Sequence, residues 1–175
     1  MKYFFWLLPI EAQRAYYQNL IDQFARTYSG PVFVPHITVY SGTFASDLSP
    51  ERILAQATSH LSPYTLQVDR LRYTELLTKS FFVQLHPSHL LQSFSETLRA
   101  QALPPANYQL DPHLSLLYQH LPEADKQHLA ISIQLHGPHI TFDEISVITS
   151  PIPTRSPGDV AQWQEVYRQK LSTLS

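Results

Sequence analysis

Two short stretches of the chain each pair a histidine with a hydroxyl side chain two residues later. Thr38 follows His36 in the segment PHITV, and Ser115 follows His113 in the segment PHLSL. Both segments are apolar runs that favour a β-strand, and side chains at positions i and i+2 of a strand lie on the same face. Two such strands facing each other would supply two imidazoles for proton transfer and two hydroxyls to bind an anion.

The composition excludes several classes of function. The chain has 175 residues, 43% of them hydrophobic and 15% charged, and this predicts one globular domain, or two small lobes, with a real core. It contains no cysteine, so disulfides, thiol catalysis and cysteine-bound zinc are excluded. Only four glycines are present and none forms a glycine-rich phosphate loop. A net charge of −2 argues against a protein that coats long nucleic acids, and leaves a small nucleotide or a chain end as a partner.

The sequence also contains an internal repeat. With a shift of 77 the matched segments are 2–5 with 79–82 and 35–38 with 112–115, and with a shift of 74 they are 68–71 with 142–145. Each repeat reads strand, helix, histidine strand, helix, strand. The repeats cover about 2–78 and 79–150, and a final helix over 159–173 is expected to pack back through Trp163 and Tyr167. Because a copy of the N-terminal strand lies in the middle of the chain, the first residues are interpreted as a strand and not as a signal peptide.

The mixture of helices and hairpins without a sustained strand–helix–strand alternation predicts an α+β fold with antiparallel sheets, formed by a single domain over 1–175. The predicted strands are 2–8, 32–40, 64–76, 81–85, 107–118, 131–135 and 140–149. The chain contains no run long enough to span a membrane, so a soluble cytoplasmic protein is expected.

The repeat selects two histidines from five. Five of the nine histidines have Ser or Thr two residues later, and they are His36, His60, His86, His113 and His139. The tetrapeptide PHIT even occurs twice, at 35–38 and at 138–141. Only His36 and His113 occupy equivalent positions in the two repeats. No carboxylate recurs beside them, so neither a metal nor another cofactor is predicted. The alternative is a pair of structural histidines that the duplication preserved.

These motifs resemble those of the two-histidine (2H) phosphoesterase superfamily, whose signature is two His-x-Ser/Thr motifs. The segments HITVY at 36–40 and HLSLLY at 113–118 are most similar to its cyclic phosphodiesterase branch, as are 3–8, 81–85 and 143–150. The resemblance covers about 2–150 and implies two pseudo-symmetric lobes, each an antiparallel sheet with helices outside, around an active-site cleft. In this family the lobes exchange segments. The resemblance also implies metal-independent hydrolysis of 2′,3′-cyclic nucleotides or ADP-ribose 1″,2″-cyclic phosphate, giving the 2′-phosphate or the 1″-phosphate.

The opening of a cyclic phosphodiester requires a base for the attacking water and an acid for the departing alkoxide, and two imidazoles can share this work near neutral pH. The resemblance assigns His113 as base and His36 as acid. Thr38 and Ser115 would bind the non-bridging oxygens, where charge develops. Two tyrosines are candidates for stacking on a base, with sheet packing as the alternative. Tyr40 shares the face of His36 by alternation, and Tyr118 stands where the family often has an aromatic residue. No arginine or lysine is evident for a second phosphate.

Three other interpretations remain. The first is a LigT-like enzyme that acts on RNA ends, although the sequence near the motifs is mostly neutral. The second is a nucleotide-binding module without turnover, and the third is a structural protein with duplicated core histidines. The favoured prediction is a monomeric enzyme whose partner is a small nucleotide with a cyclic phosphate, or an RNA end, and which has no membrane partner.

Overall fold

The computed structural model describes residues 1–105 and 107–172, which form seven strands and four α-helices. In chain order they are β1 (Lys2–Pro9), α1 (Glu11–Tyr28), β2 (Ile37–Thr43), α2 (Pro50–Ala57), β3 (Tyr64–Tyr73), β4 (Phe81–Leu85), α3 (His89–Gln101), β5 (His113–Leu117), α4 (Glu123–Ser132), β6 (His139–Thr149) and β7 (Gln164–Lys170). Two short 3-10 helices lie at Leu77–Lys79 and Pro157–Gln162. Among the described helices, none is long and apolar enough to cross a membrane.

The strands pair in the order β1-β2-β5-β4-β3-β6-β7, and every pair is antiparallel. The predicted α+β class is therefore confirmed. A further pairing joins β1 to β6, so the pairing returns from β6 to the first strand. Strand β6 of the second repeat lies beside β1 of the first, and β3 of the first repeat lies beside β4 of the second. The two repeats have thus exchanged a strand.

The sheet has one face covered by helices and one open face, which we call the cleft face. Helix α1 packs on β5 and β1, and α3 packs on β2, over a large core that includes Phe5, Leu7 and Ile37. Trp6 and Leu8 belong instead to a small separate cluster on the cleft face. This arrangement follows from the alternation of side chains along β1.

A β-bulge interrupts each histidine strand at the same place. In β2, Tyr40 pairs with Phe5 but Thr38 pairs with Trp6, so one residue is left over. In β5, Leu117 pairs with Phe81 and Ser115 pairs with Phe82 in the same way. A bulge of this kind shifts the residues beyond it to the opposite face from that expected by strict alternation.

The bulges also correct the alignment of the repeats. Trp6 pairs with Thr38 and Phe82 pairs with Ser115, so Trp6 and Phe82 are equivalent. Their numbers differ by 76, whereas the motifs differ by 77. The predicted match of 2–5 with 79–82 is therefore wrong by one residue, and a slip of one residue exchanges the two faces of a strand. The predicted shift of 74 between β3 and β6 agrees with the register, since Arg72 pairs with Phe82 and Ser146 pairs with Trp6.

The predicted C-terminal helix over 159–173 is wrong for the described residues, and position 173 lies outside them. The 3-10 helix Pro157–Gln162 is followed by β7, which pairs with β6 along its length. The spacing of Trp163 and Tyr167 fits a helix, but the free edge of β6 offers backbone hydrogen bonds that an isolated short helix cannot match. The predicted strand over 131–135 is also wrong, because α4 continues to Ser132 and no described strand follows it before β6.

Candidate active site

The two motifs meet where β2 pairs with β5. Ile37 and Leu114 are direct partners in this antiparallel pair, and both are fully buried on the helix-covered face. One step along the ladder on either side, the register brings His36 towards Ser115 and Thr38 towards His113. The duplicated strands therefore place each histidine next to the hydroxyl of the other motif on the cleft face. Local sequence supplies the motifs, and this single pairing brings them together.

His36 is enclosed by aromatic rings. Its imidazole stacks on the indole of Trp6 with a centroid separation of 3.6 Å and an interplanar angle of 12°. The rings of Phe33 and Trp163 approach it edge-on at 6.3 Å and 6.2 Å. Only 5% of the residue is exposed. This burial favours the neutral ring and is the largest cause that lowers the pKa of His36 to about 3. The hydrogen bond to Val34 acts against it, and the nearby His113 contributes a smaller lowering.

His113 occupies a more polar environment. Its ring lies edge-on to Phe82 at 5.4 Å, and Lys79 lies over the same phenyl ring with its ammonium 4.6 Å from the centroid. Lys79 forms an ion pair with Asp111. Burial is the largest cause that lowers the pKa of His113, and the charge of Lys79 acts in the same direction.

Both imidazoles use the same nitrogen to bind the backbone. Nδ1 of His36 lies 2.6 Å from the carbonyl oxygen of Val34, and Nδ1 of His113 lies 2.7 Å from that of Asp111. A carbonyl only accepts, so each Nδ1 carries the hydrogen, and in the neutral ring Nε2 has the lone pair. The contacts fix the tautomer of both rings and leave Nε2 of each to exchange a proton.

The two hydroxyls differ in their partners. Ser115 is buried, and its Oγ donates to the carbonyl of Thr78 at 2.9 Å. The side chain of Thr38 has no hydrogen-bond partner among residues 1–105 and 107–172, although its carbonyl accepts from Tyr108. Thr38 can therefore donate to an anion without breaking an existing bond, whereas Ser115 must give up its bond to Thr78.

Tyr40 does not lie in the site. It pairs with Phe5 on the helix-covered face, is fully buried, and its ring lies edge-on to those of Phe44 and Tyr108. The prediction that Tyr40 shares the face of His36 and contacts substrate is wrong, because the bulge at Val39 reverses the alternation.

Tyr118 lies next to the second motif and is buried. Its ring stacks on Phe33 at 4.1 Å with an interplanar angle of 12°, and only 4% of the residue is exposed. Its hydroxyl hydrogen-bonds with Ser115, and burial raises the pKa of Tyr118 to about 12. Phe33 thus covers one face of the Tyr118 ring, and the stacking of a base on Tyr118 stays a prediction.

The other histidines with the same local pattern lie away from this pair. His60, His86 and His139 are all exposed. His139, in the second PHIT tetrapeptide, begins β6 and pairs with Gln67. Within the part of the chain that the structure describes, no group of three or more His, Asp or Glu side chains could hold a metal ion.

A cavity of about 190 Å³ lies beside the stack of Trp6 and His36. Its walls are mostly aromatic and aliphatic, with a hydroxyl, a carboxylate and a guanidinium at one side. The lining residues are Trp6, Leu8, Val32, Phe33, Val34, Ser146, Ile148, Val160, Trp163, Glu165 and Arg168. No sequence pattern indicated this cavity, because its walls come from β1, from the segment before β2, from β6, and from the C-terminal segment that was expected to be a helix.

Sequence reasoning also missed Trp6 and Phe82, the rings that contact the two histidines. A search for aromatic residues at equivalent positions of the repeats could have found them, but only with the shift of 76 that the register reveals.

The chain matches the family model described as cyclic phosphodiesterase-like protein over residues 1–171. The chain belongs to this family. It is also similar to a cyclic phosphodiesterase of Arabidopsis thaliana, with 27% identity over 125 residues that cover 71% of this chain and 69% of the relative.

Solved structures share the fold of this family member. Escherichia coli LigT complexed with 3′-AMP has a TM-score of 0.56 and 19% identity, and the match covers 98% of both chains. TT0787 of Thermus thermophilus has a TM-score of 0.62 and 16% identity, also over 98% of both chains. The predicted membership of the two-histidine phosphoesterases, with a LigT-like fold, is confirmed, and the chain is a phosphoesterase of this type.

Proposed function

We propose that this protein hydrolyses 2′,3′-cyclic nucleotides or ADP-ribose 1″,2″-cyclic phosphate to the 2′-phosphate or the 1″-phosphate, without a metal. The observation that carries the proposal is the pairing of Ile37 with Leu114, which brings two Nδ1-anchored imidazoles and two hydroxyls to one point of the cleft face. The Arabidopsis relative is named a cyclic phosphodiesterase, which supports a cyclic phosphodiester as the substrate class.

In the proposed reaction a water oxygen attacks phosphorus, and the bond from phosphorus to one ribose oxygen breaks. One imidazole accepts the water proton at Nε2, and the other donates a proton from Nε2 to the departing ribose oxygen. Thr38 and Ser115 donate to the non-bridging oxygens, where negative charge increases. The hydroxyl of Tyr118, protonated at neutral pH, remains close enough to Ser115 to orient it.

Burial favours the neutral form of both histidines in the free protein. A phosphate anion between them raises the pKa of both rings, because it favours the charged imidazolium. The lower pKa of His36 favours His36 as the base and His113 as the acid. This is the reverse of the assignment that the resemblance implies, and both assignments remain predictions.

The cavity beside Trp6 is the proposed site of the nucleoside base. It is lined by Trp6, whose indole stacks on His36, its walls are largely apolar, and the indole of Trp163 forms one of them. All four motif residues come from one chain, which supports the expectation of a monomer. We also place the reaction in the cytoplasm, as predicted from the sequence.

The test is hydrolysis of 2′,3′-cyclic AMP with EDTA present, with the products separated by chromatography. The wild type is compared with His36→Ala, His113→Ala and, as a matched control in the identical tetrapeptide, His139→Ala. We expect turnover in the wild type and in the control, and losses of about 10²–10⁴-fold in the two motif variants, with unchanged circular dichroism spectra. A folded wild type that hydrolyses neither this substrate nor ADP-ribose 1″,2″-cyclic phosphate would refute the proposal. Turnover confined to an oligonucleotide with a cyclic phosphate end would identify the RNA-end enzyme instead.

A further inference from the structure

The register of the sheet places an arginine in line with the second motif. Ser115 pairs with Phe82 in the neighbouring strand, and Phe82 pairs with Arg72 in the strand after that. Direct partners in an antiparallel sheet share a face, so all three lie on the cleft face. Strands are about 4.8 Å apart, which puts the backbone of Arg72 roughly 10 Å from that of Ser115.

Arg72 is exposed, and its positive charge has no ion-pair partner among the described residues. Among residues 1–105 and 107–172 its side chain makes no ion pair and no hydrogen bond. Two other basic side chains lie near it. Lys79 forms an ion pair with Asp111, and Arg70 lies 3.6 Å from the carboxylate of Asp69. Of the two arginines on the described strand β3, Arg72 is therefore the one without an ion-pair partner.

The corresponding row of the other repeat carries no such charge among the described residues. There Thr38 pairs with Trp6, Trp6 with Ser146, and Ser146 with Arg168. Ser146 thus takes the position of Arg72. Arg168, one strand further, is held by Glu165 at 2.7 Å and lies 3.4 Å from Glu144. The pseudo-symmetric rows therefore differ in available positive charge, and of these two rows the one with the second motif offers it.

We propose that Arg72 binds a second phosphate of the substrate, carried on the 5′-oxygen of the ribose that bears the cyclic phosphate. This inference deepens the proposed function and rests on it. In a ribose 2′,3′-cyclic phosphate, the base and the 5′-carbon leave the sugar at opposite ends of the edge that carries the cyclic phosphate. With the base in the cavity beside Trp6 and the phosphate between the histidines, the 5′-oxygen points towards β3 and β4, where Arg72 lies.

A guanidinium suits this role because it is always charged and can bind two phosphate oxygens at once. Its long side chain can span much of the roughly 10 Å between its own backbone and that of Ser115. The shared chemistry is a phosphate on the 5′-oxygen, and it can come from a small nucleotide or from the neighbouring residue of an oligonucleotide.

The experiment measures binding of product analogues, so it does not depend on turnover. The dissociation constants of adenosine 2′-phosphate and adenosine 2′,5′-bisphosphate are determined by titration calorimetry for the wild type, Arg72→Ala and Arg72→Lys. Arg52→Ala is the matched control, because Arg52 is an exposed arginine on helix α2. We expect the wild type and the control to bind the bisphosphate at least ~10-fold more tightly than the monophosphate. This advantage should fall to about twofold in Arg72→Ala and take an intermediate value in Arg72→Lys.

The inference is overturned if the wild type shows no preference for the bisphosphate, or if Arg72→Ala retains it. A third ligand, a dinucleotide that ends in a 2′-phosphate and carries a diester on the 5′-oxygen, distinguishes the sources. If it shares the advantage and loses it in Arg72→Ala, the second phosphate belongs to an RNA end; if only the bisphosphate has the advantage, it belongs to a small nucleotide. The failure of the proposed function would be seen separately, as absence of turnover of the cyclic substrates.

Discussion

The indole of Trp6 lies flat against the imidazole of His36, 3.6 Å from it, whereas the equivalent ring of Phe82 meets His113 edge-on at 5.4 Å. The repeats thus preserve an aromatic partner for each histidine but not its geometry. The flat stack excludes water from one face of His36, and Trp163 and Phe33 cover its edges. A symmetric pair of motifs has in this way become two imidazoles with different proton affinities.

The first prediction concerns the cause of this difference. Replacement of Trp6 by Leu should raise the pKa of His36 towards the ordinary value of 6.5, because water regains access to the ring. Trp6→Phe, which keeps an aromatic stack, should raise it less. The pKa values can be measured by NMR titration of the imidazole protons. Phe82→Leu is the matched control and should move the pKa of His36 little.

The second prediction concerns the pH dependence of turnover. The profile of kcat/KM reports the ionisations of the free enzyme, and the pKa of both histidines lies below 6.5. We therefore expect a bell-shaped profile of kcat/KM against pH, with its maximum below pH 6.5. The profile of kcat should be displaced to higher pH, because the bound phosphate anion raises the pKa of both histidines. Initial rates of 2′,3′-cyclic AMP hydrolysis between pH 4.5 and 9 measure the alkaline limb of this bell, since its acidic limb follows the His36 pKa of about 3. A kcat/KM maximum above pH 7.5 would contradict it.

The third prediction concerns stability. The pKa of His36 is lower in the folded protein, about 3, than in the unfolded chain, about 6.5, so on acidification the unfolded chain takes up this proton first. The contribution is fully present above pH 6.5 and is lost as the pH falls. Between pH 7 and pH 5 the wild type should lose about 2 kcal/mol more free energy of unfolding than His36→Gln. Urea denaturation at both pH values measures the difference, and equal losses in the two proteins would show that His36 is not held neutral.

The fourth prediction separates the two hydroxyls. Thr38→Val and Ser115→Ala should each lower kcat by about 10²-fold or more, because each removes a donor to the developing charge. Only Ser115→Ala should also lower the free energy of unfolding, by about 1 kcal/mol, since Ser115 donates to the carbonyl of Thr78 and the side chain of Thr38 has no partner among the described residues. Steady-state kinetics and thermal denaturation of the same samples test both parts. A loss of stability in Thr38→Val alone would reverse this interpretation.

The fifth prediction concerns the tyrosine that the bulge turns into the core. Tyr40→Leu should destabilise the protein by roughly 1–3 kcal/mol and leave KM for 2′,3′-cyclic AMP unchanged. The tight packing of its ring supports this, since a Cβ added at Gly42 would lie 2.7 Å from it. Thermal denaturation and KM together decide the matter, and a raised KM without loss of stability would return Tyr40 to the site.

The two motifs, the α+β class and the family could all be predicted from the amino-acid sequence. These depend on features that one chain carries locally or repeats, namely apolar strand segments, His-x-Thr and His-x-Ser, and a common spacing. Even the choice of His36 and His113 over His139, which lies in the same tetrapeptide, followed from the repeat alone.

Which side chains share the cleft face, and how each histidine is solvated, became evident only in three dimensions. A bulge inserts one unpaired residue, so it reverses the faces of Tyr40 and of every residue beyond it without any mark in the hydrophobic pattern. The pKa of His36 depends on rings from β1 and from the C-terminal segment, which are distant in sequence. The alignment of Ser115, Phe82 and Arg72 exists only through two strand pairings. Strand pairing and the desolvation of a side chain depend on which residues are neighbours in space, and these neighbours cannot be identified from the sequence alone.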